Sequence, residues 1–122
     1  MTKDSLHEKL AKSIIDLDHA LEFEKKAEKD SFFYYGIAKT FEVCLEYAWK
    51  FLKKNVEDQG LEARSPKEAI KIAGRLDIIE NVELWLSYID NRNLAVHDYR
   101  SLNDKDYLET IRSFAKEVKK LK

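Results

Sequence analysis

Apolar residues recur along this chain at helical intervals, and no stretch of convincing length alternates as a strand does. Leu6, Leu10, Ile14, Leu17 and Leu21 are spaced by four and three, a single stripe on a 3.6-residue period with charged residues between them. Asp4 or Ser5 is placed to cap this first helix. Lys29-Asp30-Ser31 interrupts the pattern, and Ser31 is the expected N-cap of a second and longest helix, from about Phe32 to Gln59. Phe33, Ile37, Phe41, Cys44, Ala48 and Phe51 or Leu52 form its main stripe. Tyr34, Tyr35, Leu45, Tyr47 and Trp49 carry apolar surface further round, the pattern of a helix covered by several neighbours or by a second subunit. Gly36 predicts close approach of another backbone, and Gly60 supplies the left-handed residue that ends the helix.

Ser65-Pro66-Lys67-Glu68 announces a short third helix: Ser65 as N-cap, Pro66 at N1, Glu68 closing a capping box, with the end near Arg75-Leu76. Asn81 caps a fourth, in which Val82, Trp85, Leu86 and Ile89 make the buried face. Asn103 or Asp104 opens a fifth, with Tyr107, Ile111, Phe114, Val118 and Leu121 at helical spacing. These elements predict an all-α protein, an up-and-down four-helix-type bundle with one short extra helix, in a single domain over residues 1–122. Trp49 and Trp85 are expected between helices, Cys44 in the core, and His7 and His19 toward solvent.

Composition narrows the function without choosing it. Gly and Pro together number four while 37% of residues are charged, as in helical proteins with few turns. A formal net charge of −1 argues against a protein that coats nucleic acid without specificity, yet leaves room for a local phosphate site. The lone Cys44 excludes a disulfide framework or a cysteine-based metal site. No apolar run is long enough to span a bilayer and the N-terminus lacks a signal-peptide core, so a cytoplasmic location is expected.

The chemistry concentrates in Asp90-Asn91-Arg92-Asn93-Leu94-Ala95-Val96-His97-Asp98-Tyr99, where an arginine, an amide, a histidine and a tyrosine follow one another closely. Arg92 and His97 alone carry little information, because five arginines and three histidines make such a pair common by chance. On a continuous helix they also point about 140° apart, whereas Asn93 and His97 share a face. If the pair acts together, either the helix loosens before His97 or a second copy of the chain completes the site. The structural alternative is a helix end, with His97 near the negative pole of the dipole, Asn93 capping locally and Tyr99 simply packing. Phe32-Phe33-Tyr34-Tyr35 and Lys50, Lys53 and Lys54 fit a core or dimer seam and a solvated face better than a nucleic-acid surface.

From Phe41 onward the sequence resembles the HEPN superfamily of small helical proteins, in its branch of nucleotidyltransferase substrate-binding proteins. The resemblance rests on Phe41-Glu42, Leu45-Glu46-Tyr47-Ala48-Trp49-Lys50, Gly60, Ser65-Pro66-Lys67-Glu68-Ala69-Ile70, Glu83-Leu84-Trp85-Leu86 and Arg92 through Tyr99, in order; the first helix adds little. The superfamily's arginine-to-histidine signature falls on Arg92 and His97, its polar residue after the arginine on Asn93, and its following tyrosine on Tyr99. The resemblance implies a homodimer with the motifs facing a shared cleft. It also implies a metal-independent ribonuclease toxin, without cofactor, whose partner is a minimal nucleotidyltransferase acting as antitoxin, in some pairs by attaching AMP to the motif's tyrosine.

Those residue types suit RNA cleavage: imidazoles to take and return protons, a guanidinium fork on the phosphorane oxygens, and Asn93 to donate or to orient the imidazole. Arg92, His97 and Asn93 are therefore the expected catalytic residues and Tyr99 the expected modification site, with no metal. The alternative is a non-catalytic nucleotide or substrate-binding subunit of a two-component nucleotidyltransferase, in which Arg92 and His97 hold a phosphate and cut nothing. A plain helical interaction module is a third reading, and would tolerate replacement of both residues.

Overall fold

The computed structural model describes residues 3–97 and 104–121, and within them every regular element is a helix. Six helices run in order: α1 (Lys3–Leu21), α2 (Glu24–Ala27), α3 (Ser31–Asp58), α4 (Pro66–Arg75), α5 (Val82–His97) and α6 (Asp104–Val118). The long α3 is the spine, packing against each of the other five, while α4 meets α5 and α6 closes against α1 and α5. The all-α bundle expected from the periodicity is thus present. The four-residue α2 is an addition, too short to show a stripe in the sequence.

The helix ends are built largely from local signals. Asp30, rather than Ser31, caps α3: its carboxylate accepts from the Phe32 N–H at 2.9 Å, and Ser31 becomes the first helical residue. Two adjacent capping residue types made the sequence ambiguous by one position. Asp4 and Ser5 lie inside α1 rather than at its cap. Ser65 Oγ accepts from the Glu68 N–H at 3.1 Å, as the capping box predicts, but the Glu68 carboxylate reaches the N–H of Arg64 rather than of Ser65. Asn81 caps α5 by accepting from the Leu84 N–H at 3.1 Å.

At the far end of α3, Gly60 (φ 84°) donates to Glu57 and Leu61 donates to Val56, the paired bonds of a Schellman motif. The end of α4 repeats the pattern with Asp77 (φ 58°) in the left-handed position, where Asp77 and Ile78 donate to Gly74 and Ala73. Gly36 meets no neighbouring atom within 4 Å, so close backbone approach is not its role in this chain. Gly74 is the tight position instead, because a Cβ there would overlap Val82 Cγ2 at the start of α5.

The core joins Leu6, Leu10 and Leu17 of α1 to Ile37, Phe41, Cys44, Leu45, Ala48, Leu52 and Val56 of α3, with Trp85, Tyr88 and Ile89 of α5 and the apolar face of α6. Phe114 is its aromatic node. Its ring lies 5.2 Å from Phe41, 5.3 Å from Tyr88 and 5.7 Å from Trp85, each close to perpendicular. Cys44 is fully buried, and burial pushes its thiol up to about 11. Trp85 is buried as expected, whereas Trp49 is only half-buried and turns its ring nitrogen to a carboxylate described below. The aromatic cluster at the start of α3 divides: Phe33 and Tyr34 pack on the core, while Phe32 and Tyr35 remain 77% and 60% exposed. His7 and His19 are exposed.

Candidate functional site

α5 carries the motif, and its own attachments fix where the motif can point. Tyr88 Oη lies 2.8 Å from Ser113 Oγ, and Asn91 Nδ2 donates to Thr110 Oγ1 at 3.0 Å, binding one side of α5 to α6. Burial pushes the Tyr88 hydroxyl up to about 12, against the opposing effect of its hydrogen bond with Ser113. Lys67 of α4 pairs with Asp90. With these contacts made, Arg92 faces α3, and only 20% of its side chain stays exposed.

There it closes a cleft of about 340 Å³ whose remaining lining, Lys39, Glu42, Val43, Glu46, Tyr47 and Lys50, all comes from α3. Those positions recur at intervals of three and four, so they form one face of that helix. Three cationic and two carboxylate side chains meet in the cleft. Arg92 Nε donates to the side-chain oxygen of Asn93 at 3.0 Å, and its Nη1 lies 3.8 Å from Glu46 Oε2. The same Glu46 oxygen accepts from Trp49 Nε1 at 2.9 Å, while Oε1 lies 3.3 Å from Lys50 Nζ. Burial works to raise the Glu46 carboxyl, but the hydrogen bonds from Trp49 and Lys50 and the charges of Lys50 and Arg92 hold it below its ordinary value.

A second pocket of about 490 Å³ shares Lys39 and Glu42 with this cleft and adds Tyr34, Tyr35, Ala38, Ala95, Val96 and Tyr107. The Tyr107 hydroxyl is raised by burial and by the nearby Glu42 and Tyr34, with Arg92 opposing. The Tyr34 hydroxyl is raised by burial and by the charge and hydrogen bond of Asp104. Both phenols therefore stay neutral in the physiological range.

Arg92 and Asn93 share a hydrogen bond in which the amide oxygen of Asn93 serves the guanidinium. The backbone of α5 is helical through His97, its last residue, so the helix does not loosen ahead of the histidine. Positions 92 and 97 therefore sit about 140° apart around the axis. Tyr99 lies outside the described residues. Lys39, Glu42 and Glu46 were not singled out by sequence reasoning. Glu42 and Glu46 entered only within the stretches that carry the resemblance, with no role given to them, and Lys39 lies on a polar stripe of α3 that nothing in the sequence distinguishes from a solvated face. Among the described residues no three His, Cys, Asp or Glu side chains are grouped to hold a metal ion. Nor is any described helix long and apolar enough to cross a membrane.

The model of the nucleotidyltransferase substrate binding protein-like family matches residues 6–122. The chain belongs to this family. The match takes in α1, whose residues had carried little of the resemblance. Two solved structures share this chain's fold. This substrate binding protein-like chain superposes on a tri-AMPylated HEPN toxin of Shewanella oneidensis, solved in complex with MNT antitoxin, with a TM-score of 0.71. Identity is 16%, and 98% of each chain is covered. A mutant form of the toxin–antitoxin MntA–HpeT matches with a TM-score of 0.65 at 15% identity over 96% of each chain. At such identities the likeness establishes a common fold, the HEPN bundle. No curated protein matches the chain.

Proposed function

We propose that this protein is a HEPN-type toxin subunit, a metal-independent ribonuclease that works as a homodimer and is controlled by a minimal nucleotidyltransferase. The observation that carries the proposal is the Arg92 cleft: a guanidinium held at the edge of an open, cation-rich groove, on a helix whose last residue is His97. The fold shared with a HEPN toxin found in complex with MNT antitoxin supports the toxin role and the partner.

In the proposed reaction, one neutral imidazole takes the proton of an RNA 2′-hydroxyl as its oxygen bonds to phosphorus. The bond to the 5′-oxygen breaks, and a protonated imidazole returns a proton to that leaving oxygen, giving a cyclic phosphate and a free 5′-hydroxyl. Arg92 stabilises the charge that builds on the phosphorane oxygens. Because positions 92 and 97 diverge on an unbroken helix, a second copy supplies the histidine that one Arg92 needs. Val43 lines the cleft and Val96 the pocket beside it, and they are 40% and 55% exposed, which suits a seam between two copies. Transfer of AMP from ATP to the Tyr99 hydroxyl, with pyrophosphate leaving, adds bulk and negative charge beside a site that must admit a phosphate.

The deciding experiment is RNA cleavage in EDTA by wild type, His97→Ala and Tyr99→Phe purified in parallel. Wild type is expected to cut, His97→Ala to lose about 10²–10⁴-fold, and Tyr99→Phe to cut while escaping modification by the partner. Equal cleavage by wild type and His97→Ala refutes the assignment of His97.

One observation favours the second reading, a non-catalytic nucleotide-binding subunit. Positions 92 and 97 lie on different faces of an unbroken helix, while Arg92 faces a cleft of ligand size. On that reading no variant cuts RNA, and AMP titrated into the protein binds wild type more tightly than Arg92→Ala.

A further inference from the structure

Glu46 has more partners than a solvated helix face requires. An ordinary surface pair would join it to Lys50 one turn on, as it does here at 3.3 Å. Its other oxygen instead accepts from Trp49 Nε1 at 2.9 Å and faces Arg92 Nη1 at 3.8 Å. Trp49 is half-buried against the core, so the carboxylate is oriented by a ring that has little freedom to turn. Asn93 holds the Nε edge of the same guanidinium. A hydrogen bond thus fixes one edge of Arg92 and an ion pair faces another, and no further partner of its N–H donors is found among the described residues.

We infer that Glu46 is the positioning residue for Arg92: a carboxylate anchored by Trp49 that holds the guanidinium across the cleft and shares it with any phosphate bound there. The inference rests on reading the cleft as a phosphate site, and it assigns a specific consequence to the carboxylate charge. That charge opposes ground-state binding of an anion while it fixes the fork that must meet the transition state. Removing it tightens substrate binding and slows turnover together. Loss of a merely structural contact moves neither quantity in this pairing.

The test uses the full chain as wild type, Glu46→Gln and Trp49→Phe, with thermal melts confirming that each is folded. Glu46→Gln keeps the shape without the charge; Trp49→Phe keeps a ring but removes the donor that orients Glu46. The first measurement is the rate of rotation of the Arg92 guanidinium about its Nε–Cζ bond by NMR. It is expected to be slow in wild type, several-fold faster in Glu46→Gln and intermediate in Trp49→Phe. An unchanged rate in Glu46→Gln overturns the inference whether or not the protein cuts RNA. The second measurement is cleavage in EDTA, where Glu46→Gln is expected to lower kcat and KM together. A wild type that cleaves, with Glu46→Gln unchanged in both constants, also overturns it. A wild type that cleaves nothing counts against the ribonuclease reading, and the rotation rates then decide the role of Glu46 alone.

Discussion

Phe114→Ala is expected to destabilise the fold by about 3–5 kcal/mol, the range for removing a large aromatic side chain from a packed core. Phe114 has no exposed surface, and among the described residues it is the one ring in edge contact with Phe41 of α3 and with both Trp85 and Tyr88 of α5. Its removal leaves a void that three rings of two other helices would have to close. Since a domain of this size is stable by about 5–15 kcal/mol, the variant gives up a large part of its margin. Urea unfolding followed by circular dichroism measures the change through the midpoint at constant slope. Phe114→Leu, which restores much of the volume, is expected to recover most of it. A loss under about 1 kcal/mol in Phe114→Ala, below the mutational range for such sites, would mean that α5 and α6 are held chiefly by their hydrogen bonds.

Arg92→Ala is expected to reduce metal-free RNA cleavage by about 10²–10³-fold, the usual consequence of losing a donor aimed at developing charge. Its effect on stability should stay within about 1 kcal/mol, since its ion pair with Glu46 is partly solvated and Glu46 keeps Trp49 and Lys50 as partners. The divergence between the two effects is the informative part. Arg92→Lys retains the charge without the planar fork and is expected to recover only a small fraction of the rate. Cleavage kinetics in EDTA and a thermal melt on the same preparations measure both. Full activity in Arg92→Ala would remove the guanidinium from the reaction, and with it the reason for placing RNA in this cleft.

What could be read from sequence follows the range over which each signal acts. Ser65, Asn81 and Gly60 satisfy backbone groups within three or four residues of themselves, so their roles were legible and are present. The apolar stripes of α3 and α6 reported which faces are buried, because burial of a helix face depends on its own period. They did not report which polar face meets which. Glu46 and Arg92 lie far apart in sequence, and only the packing of α5 on α3 turns an unremarkable Glu46–Lys50 pair into one wall of a cleft. Trp49 was expected in the core for the same reason: hydrophobicity does not show that the indole N–H is directed outward to a carboxylate. Arg92 and Asn93 were found by residue type and resemblance, and the structure adds the direction of their hydrogen bond.

The unbroken course of α5 through His97 carries a consequence for dosage. Under the proposed division of labour between two copies, a lone chain lacks half of each reaction centre. Specific activity in EDTA is then expected to fall on dilution, with total cleavage rising as the square of protein concentration below the dissociation constant of the pair, and linearly above it. A linear dependence throughout the accessible range, in a sample shown to be monomeric by sedimentation, would contradict the division. A toxin built this way is nearly silent when scarce and turns on steeply as copies accumulate, so the threshold is set by self-association before any antitoxin acts.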